Sequence, residues 1–432
     1  MAQQPIAGHN GAGQIYVPSR HPDRYKNIHR PYSPADVDEL RPSVMNVLQI
    51  PTVGAEKFWD RMQNGPYMLA VGAVTGNQAV EMVKYGIFPY DGGWQMAFDQ
   101  NLQRQTFPDM GNLSWDSPAA HIERIVNALQ AAEQVYRMRG DTSVDWNVPL
   151  VADLEAGWGN PVQTFHTTTV AVKAGAAAVH LEDQDSQMRR CGHLGEKVVI
   201  PTSQHYNKLV AARYAMDTLG VPGVIIARTD SKSAKYISND IDEYDRPFID
   251  FSKGKIPDNG LYHFKGGLDA VIARGIKFAE VAEMIWYETN KLDLGEAKYV
   301  AEGIHEKAPW VKFAWNFSPS INMQTIPQNQ RADFADKLAA LGYSYIFVTV
   351  GGSHNMLHAM HLLARGMSQR GVEPYIDHQA QEFASVPNGY DFAEHQERSR
   401  VGVMGRLEEI ITGRASNAMV GEGATSGQFR NP

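Results

Sequence analysis

Cysteine is nearly absent from this sequence of 432 residues, which contains only Cys191. A single cysteine excludes an intrachain disulfide and agrees with a reducing compartment. No run of five basic residues occurs and the net charge is -8, so a nucleic-acid partner is not expected, because phosphate binding requires concentrated positive charge. No apolar run is long enough to span a bilayer, and the polar residues 1–16 do not resemble a secretory signal. We therefore expect a cytoplasmic protein with neither nucleic-acid nor membrane partners.

Short β-rich apolar segments alternate with helical patterns along most of the chain. This alternation predicts a parallel sheet, and eight such segments predict a closed (β/α)₈ barrel of the TIM type. An open doubly wound sheet is the alternative, although the glycine-rich phosphate turn typical of that fold is missing. The predicted strands are residues 67–74, 86–90, 148–152, 177–181, 224–227, 284–287, 311–315 and 345–350.

Three regions are expected along the chain. Residues 1–60 are rich in proline and predict loops and short helices, and residues 61–355 predict the barrel, with a polar, loop-rich insertion at 232–265. Residues 356–432 predict further helices followed by a Gly-rich tail. The expected fold is therefore an α/β barrel with an N-terminal helical segment and a C-terminal helical extension.

Polar residues follow the C-terminal ends of six predicted strands, which is the end where such barrels carry their active sites. A single carboxylate after a strand is more often a helix cap or a solvated loop residue. The same feature at six strands predicts one shared site. The residues are Asp153 and Glu155; Glu182 and Asp183; Arg228 and Asp230; Glu288 and Thr289; Asn316, Ser318 and Ser320; and Thr349.

The carboxylates among these residues indicate a metal site. Asp153, Glu155 and Glu182 offer oxygen ligands only, which favours Mg²⁺ or Mn²⁺. Mg²⁺ keeps several waters, so one direct carboxylate with water-bridged neighbours suffices. Asp109 could join them, although a turn after Pro108 explains it equally well.

Cys191 lies between Arg189-Arg190 and Gly192-His193. Neighbouring cations lower a thiol pKa, so this segment predicts a reactive cysteine on a loop. An inert, buried cysteine is the commoner alternative. His193, close to the thiol on the same loop, is expected to act as a hydrogen-bond donor or partner base.

Two further groups predict recognition of an anionic substrate. Arg228 suits a bidentate contact with a carboxylate or phosphate, although an internal ion pair is also common. Asn316, Ser318 and Ser320 alternate along an extended segment, so their side chains should point to one face as donors for a carboxylate or a developing oxyanion. An ordinary turn is the alternative for Ser318-Pro319-Ser320.

In combination, these motifs resemble one family. The segment Arg189-Arg190-Cys191-Gly192-His193 is similar to the Lys-Lys/Arg-Cys-Gly-His loop of the isocitrate lyase family, which also includes 2-methylisocitrate lyase. The resemblance covers the chain from about residue 36 to its end. It continues at residues 151–157, 180–184, 226–230, 285–289, 316–320 and 427–429.

The resemblance implies Mg²⁺-dependent cleavage of isocitrate, a small tricarboxylate, to glyoxylate and succinate. It also implies a homotetramer with helices exchanged between subunits and a C-terminal segment that closes over the site as a lid.

The resemblance also implies roles for individual residues. For catalysis it implies Cys191 as the proton donor, with His193, and Tyr90 as the group that handles the substrate hydroxyl proton. For the metal it implies Asp153 as the direct ligand and Asp109, Glu155 and Glu182 through water. For the substrate it implies Gly93, Trp94, Gly192 and Arg228 around the glyoxylate part, and Asn316, Ser318, Ser320, Thr349 and His193 around the succinate part.

Several positions depart from the family pattern, and we expect some of them to border the pocket. They are Gly92 in place of a serine, Leu181 in place of an aromatic residue, Glu196 in place of a glycine, Phe317 in place of a cysteine, and Ile321 and Met323 in place of two aromatic residues. These departures leave 2-methylisocitrate lyase, which yields pyruvate and succinate, as the nearest alternative function. A phosphonate-acting enzyme of the wider superfamily, a cysteine hydrolase and a non-catalytic homologue are less favoured.

Overall fold

A closed barrel of eight parallel strands forms the centre of the structure, a computed structural model that describes residues 17–21, 23–416, 418–419 and 424–425. The strands of the described chain are β1 (Met68–Gly72), β2 (Phe88–Asp91), β3 (Val151–Asp153), β4 (Ala178–Glu182), β5 (Val198–Val199), β6 (Val224–Thr229), β7 (Tyr236–Ile237), β8 (Tyr262–His263), β9 (Met284–Tyr287), β10 (Lys312–Asn316) and β11 (Tyr343–Val348). The barrel order is β1-β11-β10-β9-β6-β4-β3-β2. The predicted TIM-type barrel is thus confirmed, and all eight predicted strands occur in it.

The strand ends differ from the prediction in a way that matters for the site. Glu182, Arg228 and Asn316 are residues of β4, β6 and β10 rather than of the loops that follow them. Strand residues alternate between the two faces of a sheet. These polar side chains therefore lie at the mouth of the barrel with directions set by the strands.

Two apolar layers hold the barrel together. Inside it, residues such as Met68, Tyr90 and Trp286 form a buried cluster with Phe58. Outside it, a larger cluster joins the strands to the surrounding helices. Burial on both faces explains why the sequence reads as continuous apolar runs at these strands.

Helices follow the strands around the barrel. Local signals set their ends: α6, for example, begins after Asn160, whose side chain accepts a hydrogen bond from the Gln163 amide, has Pro161 in its first turn and ends at Gly175 with φ of 127°. The described helices are α1 (Pro34–Glu39), α2 (Gln49–Asn64), α3 (Gly76–Lys84), α4 (Gly93–Gln95), α5 (Ser117–Met138), α6 (Pro161–Ala174), α7 (Thr202–Leu219), α8 (Leu268–Phe278), α9 (Leu294–His305), α10 (Gln328–Arg331), α11 (Phe334–Ala340), α12 (Gly351–Arg370), α13 (Glu373–Ser385), α14 (His395–Arg398) and α15 (Val401–Thr412).

The N-terminal segment is more regular than expected. The 16-residue helix α2 crosses the expected boundary at residue 60 and buries Phe58 and Met62 in the cluster inside the barrel. Likewise α12 crosses the expected boundary at residue 355. Both boundaries therefore fall inside helices.

The insertion at 232–265 also contains regular structure that its polar composition concealed. The short strands β7 and β8 of the insertion form a small second sheet with β5, which precedes it. Ile237, Ile249 and Phe264 of the insertion are buried in a small apolar cluster. The loop-rich insertion therefore also contains two short strands and a small core.

The C-terminal helices leave the barrel and carry many exposed apolar side chains. Met360 on α12 and Ile376 on α13 are 59% and 61% exposed. The motif expected at Gly427, Gln428 and Phe429, and with it the end of the proposed lid, lies outside the described residues. Within the part of the chain that the structure describes, none of the helices is long and apolar enough to cross a membrane.

Candidate active site

One cleft at the C-terminal mouth of the barrel collects most of the residues expected from the sequence. It encloses about 140 Å³. Its lining includes Tyr90, Gly93, Trp94, Asp109, Asp153, Cys191, Gly192, His193, Arg228, Asn316, Ser318, Ser320 and Thr349. Glu155 and Glu182 lie behind this lining, fully buried among charged groups.

The turn after β2 packs directly on Asp153. The Gly93 amide donates to Asp153 Oδ2 at 2.9 Å, and the Tyr90 hydroxyl lies 3.2 Å from the same oxygen. A Cβ on Gly93 would stand 2.7 Å from Asp153 Oδ2, so only glycine allows this approach. The Glu155 amide donates to Asp153 Oδ1 at 2.8 Å, which orients the carboxylate from its other side.

Tyr90 connects this carboxylate to a neutral histidine. Its hydroxyl lies 2.7 Å from His180 Nε2. Burial lowers the pKa of His180 to about 4, so the ring is uncharged at neutral pH. Burial and the Asp153 charge raise the pKa of Tyr90 well above its usual value, so the phenol keeps its proton and donates it.

Arg189 lies among the carboxylates that the sequence assigned to a metal. Its guanidinium pairs with Asp109 and lies 2.6 Å from Glu182 Oε1 and 3.2 Å from Glu155 Oε1. From the sequence, Arg189 was expected only to act as a cation beside the Cys191 thiol. Instead, it joins the loop that carries Cys191 to the acidic cluster, and the Cys191 amide adds a hydrogen bond to the Asp109 carbonyl at 2.8 Å.

The positive charges around the acidic cluster do not fully neutralise its carboxylates. Burial, more than any other effect, raises the pKa values of Glu155 and Glu182 well above their usual range. Among the described residues, Glu155 Oε1 and Glu182 Oε2 make no hydrogen bond, although they lie 3.2 Å from Arg189 and 3.0 Å from Arg228, respectively. Buried oxygens of this kind fit a divalent cation.

The arrangement fits a cation bound directly by one carboxylate, not one enclosed by several protein ligands. In the described part of the chain, no group of three or more histidine, cysteine, aspartate or glutamate side chains is arranged to hold a metal ion. Asp153 is the carboxylate of the four that lines the cleft without an ion pair to an arginine among the described contacts. Asp153 is also the residue that the family resemblance implies as the direct ligand.

Arg228 faces the cleft and is held by three carboxylates. It bonds Asp230 at 3.0 Å, and lies 3.0 Å from Glu182 and 3.3 Å from Glu288. Its guanidinium carbon also lies 4.3 Å from the centre of the Trp286 ring. Both readings of the sequence therefore hold: the arginine is ion-paired internally and still lines the cleft.

The Cys191 thiol does not have the lowered pKa that its cationic neighbours suggested. Burial raises its pKa above the usual value for a thiol, and this outweighs the opposing effects of the His193 backbone, Arg189 and Arg228. The prediction of a lowered pKa was wrong because sequence neighbours report charge but not desolvation. The half-buried thiol at the edge of the cleft stays protonated at neutral pH.

The donors on the opposite wall also converge. His193 Nε2 donates to the Thr289 carbonyl at 3.1 Å, and its Nδ1 lies 3.4 Å from the Ser318 hydroxyl. Asn316 Nδ2 lies 3.4 Å from both oxygens of Glu288. The structure thus brings His193, Asn316 and Ser318 to one side of the cleft.

Two residues that the sequence left without a role support the site. Glu288 lines the cleft and contacts both Arg228 and Asn316. Lys197 is buried, and its Nζ donates to the Gly192 carbonyl at 2.7 Å and to Asp230 at 2.6 Å. The carboxylate after β9 was a visible signal for Glu288, whereas a lone lysine beside an apolar pair gave no signal.

Most of the departures from the family pattern lie outside the lining of the cleft. Leu181 is fully buried in the cluster between strands and helices, Phe317 packs on Phe334 at 5.5 Å between ring centres, and Glu196 is exposed. Only Gly92 lines the cleft. A Cβ there would stand 2.9 Å from Tyr90 Cε1, so the tyrosine ring takes the room that a side chain would need.

The fold is shared with solved structures of distant proteins. 2,3-Dimethylmalate lyase superposes with a TM-score of 0.56 at 19% identity, covering 89% of this chain and 99% of that one. Phosphoenolpyruvate phosphomutase from Streptomyces platensis gives a TM-score of 0.56 at 15% identity, covering 84% and 100%. These likenesses concern the fold alone.

Sequence relatives are much closer. Isocitrate lyase of Halalkalibacterium halodurans is 39% identical over 404 residues, 93% of this chain and 94% of that protein. Isocitrate lyase 1 of Mycobacterium tuberculosis is 38% identical over 409 residues, 94% and 95% of the two chains. A family model described as the isocitrate lyase family matches residues 19–258 and 252–429. The chain therefore belongs to the isocitrate lyase family of carbon–carbon lyases.

Proposed function

We propose that this protein cleaves isocitrate to glyoxylate and succinate. The observation that carries the proposal is the convergence in one cleft of Asp153, Arg228, a protonated Cys191 and the donors of residues 316–320. Each of these groups meets one chemical requirement of the cleavage.

The bond cleavage leaves negative charge on a carbon next to a carboxylate. Donors at that carboxylate stabilise the charge, and Asn316, Ser318, Ser320, Thr349 and His193 are the proposed donors to this succinate part. An acid must then protonate the carbon. Cys191 supplies that proton, and the burial that raises its pKa keeps the proton on the thiol.

The glyoxylate part is proposed to lie against Gly93, Trp94, Gly192 and Arg228. Arg228 offers a planar cation for a carboxylate. Gly192 permits the close packing of its loop, because a Cβ there would stand 2.5 Å from Arg228 Nη2 and 2.5 Å from Glu288 Cγ. Tyr90 handles the substrate hydroxyl proton, and Nε2 of the neutral His180 lies 2.7 Å from its hydroxyl.

A divalent cation, Mg²⁺ or Mn²⁺, completes the proposed site. Asp153 would bind it directly, and Asp109, Glu155 and Glu182 would hold its waters. When bound, the ion would polarise the oxygens of the hydroxy acid. Two buried carboxylate oxygens, Glu155 Oε1 and Glu182 Oε2, make no hydrogen bond among the described residues, which supports this assignment.

We favour isocitrate over 2-methylisocitrate because, of the departures that left the alternative open, only Gly92 lines the cleft, and a Cβ there would meet the Tyr90 ring. The test is to incubate the purified protein with each substrate, with and without EDTA, and to identify the products. We expect glyoxylate from isocitrate, little pyruvate from 2-methylisocitrate, and loss of both with EDTA. The reverse preference would identify 2-methylisocitrate as the substrate. Turnover that resists EDTA would show that the reaction does not need a metal ion.

The proposed role of the thiol has its own test. Cys191→Ser should fold and bind substrate but lose most of its turnover, because a serine hydroxyl is a much weaker acid. Substrate binding by calorimetry separates this loss from a loss of the site. Turnover close to that of the parent protein would remove Cys191 from the reaction.

We also propose that the protein is a homotetramer that exchanges its C-terminal helices. The exposed apolar side chains of α12 and α13, such as Met360 and Ile376, support this proposal because a soluble subunit rarely exposes so many together. Light scattering at micromolar concentration should give four times the subunit mass of 48.0 kDa, and a stable monomer would contradict it. A reducing cytoplasm would keep the single thiol free.

A further inference from the structure

A buried aspartate–histidine pair lies one residue from the catalytic tyrosine and takes no part in the steps above. Asp91 ends β2, and His121 lies in the second turn of α5. Both side chains are fully buried, with Oδ1 of Asp91 2.5 Å from Nδ1 of His121. The other ring nitrogen, Nε2, lies 3.0 Å from the Val74 carbonyl in the loop after β1.

The hydrogen bonds define where the protons are. A carbonyl oxygen only accepts, so Nε2 of His121 carries a hydrogen toward Val74. The short contact at Nδ1 then contains a second proton shared with Asp91. Burial opposes charge on the ring, but the bond to Asp91 and its negative charge raise the pKa of His121 overall. One imidazole therefore joins the end of β2, the loop after β1 and α5.

The position of the pair connects it to the site. Neighbouring strand residues point to opposite faces, so Tyr90 faces the barrel interior while Asp91 faces α5. The next residues, Gly92 and Gly93, form the turn whose amide holds Asp153. Anchoring Asp91 from outside therefore limits the movement of both Tyr90 and the Gly93 amide.

Stability alone is a poor explanation for this pair. Burying two charged groups costs about as much as their attraction returns, and apolar residues of similar size often serve as well. Among the described residues, Asp91 Oδ2 has no hydrogen-bond partner, which adds to the cost. A costly directional contact beside a catalytic turn is typical of groups that orient the residues in contact with the ligand.

We propose that Asp91 and His121 are a positioning pair that sets the turn at Gly92–Gly93, and with it Tyr90, against Asp153. This inference rests on the proposed function, because it assigns the pair to the cation-binding side of that same site. Neither residue touches the cleft. The pair acts through the residues it holds.

Two substitutions of His121 separate its bonds. His121→Asn keeps a donor near the position of Nδ1 and so keeps the bond to Asp91, whereas His121→Gln keeps a donor near Nε2 and loses that bond. His305→Gln is the matched control, because His305 Nε2 also bonds a carbonyl, that of Val311 at 2.9 Å, just before β10 begins and hence at the opposite end of the barrel. Each variant is measured for melting temperature, for kcat with isocitrate, and for Mn²⁺ binding by electron paramagnetic resonance of the free ion.

We expect His121→Gln to lose roughly 10- to 100-fold in kcat and in Mn²⁺ affinity, the range found for groups that orient metal-binding residues. His121→Asn should recover most of both, and His305→Gln should lower the melting temperature without changing either. Equal thermal losses in both glutamine variants with unchanged kcat and Mn²⁺ binding would reduce the pair to a structural role. A folded His121→Asn as impaired as His121→Gln would also overturn the proposal.

If His121→Gln does not fold, the pair is tested by substituting Asp91 instead. Asp91→Asn can donate to Nδ1 of a neutral ring and should keep kcat, whereas Asp91→Ala should lose it. An Asp91→Ala variant with full kcat and Mn²⁺ affinity would refute the proposal. Failure of the parent protein to cleave isocitrate would reject the proposed function separately, because the Mn²⁺ comparison between variants does not depend on turnover.

Discussion

A thiol that acts as an acid has to keep its proton until the substrate carbon takes it. Cys191 meets this condition through burial, which raises its pKa although Arg189 and Arg228 act in the opposite direction. This reverses the interpretation of the sequence, in which Arg189 and Arg190 lower the pKa of the thiol. The proposed role as proton donor gains support from that reversal.

The thiol pKa can be measured directly, because Cys191 is the only cysteine in the sequence. The rate of alkylation by iodoacetamide should rise with pH around a midpoint above the ordinary thiol value of about 8.5. Protein unfolded in urea provides the control and should return to that ordinary value. A midpoint in the folded protein below the unfolded one would show that the cations prevail.

Gly93 is a second residue whose identity the geometry demands. Gly93→Ala should fold but lose roughly 10-fold or more in kcat/KM, because its Cβ would press on Asp153 Oδ2 at 2.7 Å and on Glu155 Oε1 at 3.2 Å. Gly195→Ala is the matched control, since a Cβ there meets nothing within 4 Å. Steady-state kinetics of both variants make the test, and an unimpaired Gly93→Ala would contradict the proposed approach to Asp153.

Among the elements, the loop between β4 and β5 depends most on contacts that are distant in sequence. Arg189 ties its start to the acidic cluster, and Lys197 ties its end to Asp230. These two anchors hold Cys191 and His193 over the cleft from both sides. The loop is thus part of the barrel mouth rather than a free segment above it.

Removing the second anchor should loosen the loop. Lys197→Met loses the bonds to Gly192 and Asp230, and breaking a buried ion pair costs about 3–5 kcal/mol of the free energy of unfolding. We expect faster hydrogen exchange in residues 189–195 and a lower kcat. Lys291→Met is the control, because the Lys291 side chain is 63% exposed and its pair with Glu296 contributes about 1 kcal/mol or less. Unchanged exchange in Lys197→Met would show that Arg189 alone holds the loop.

For the whole molecule, buried titratable groups at the barrel mouth connect stability to pH. The folded state depresses the pKa of His180 to about 4, below the ordinary value of about 6.5 that an unfolded chain has. As pH falls from 6.5 to 4, His180 binds a proton in the unfolded chain but not in the folded protein. Stability from this group is therefore present above pH 6.5 and declines toward pH 4, by up to about 3 kcal/mol.

The difference between two proteins isolates this contribution. In metal-free buffer, His180→Gln should gain stability relative to the parent protein as pH falls from 7 to 5, as measured by urea denaturation at each pH. The raised pKa values of Glu155 and Glu182 act in the opposite sense but affect both proteins alike. A difference that stays constant with pH would mean that the folded and unfolded states bind the His180 proton alike, so that folding does not lower its pKa.

The sequence predicted the architecture well because its signals are local. Eight apolar segments alternate with helical patterns, and the alternation alone indicates a barrel with its polar residues at one end. The resemblance carried by the Cys191 loop was sufficient to indicate the family, which the relatives confirmed. The expected boundaries at residues 60 and 355 fall inside α2 and α12, which the sequence pattern did not indicate.

By itself, then, the sequence determined the barrel, the family and the side of the barrel on which the chemistry is proposed to occur, since these depend on the order and spacing of residue types. Tertiary structure alone decided that Arg189 meets Asp109 across 80 residues of chain, and that Asp91 meets His121 across 30. It also decided the direction of the Cys191 pKa. These properties depend on distance and desolvation in the folded molecule, and neither quantity is written in the order of the residues.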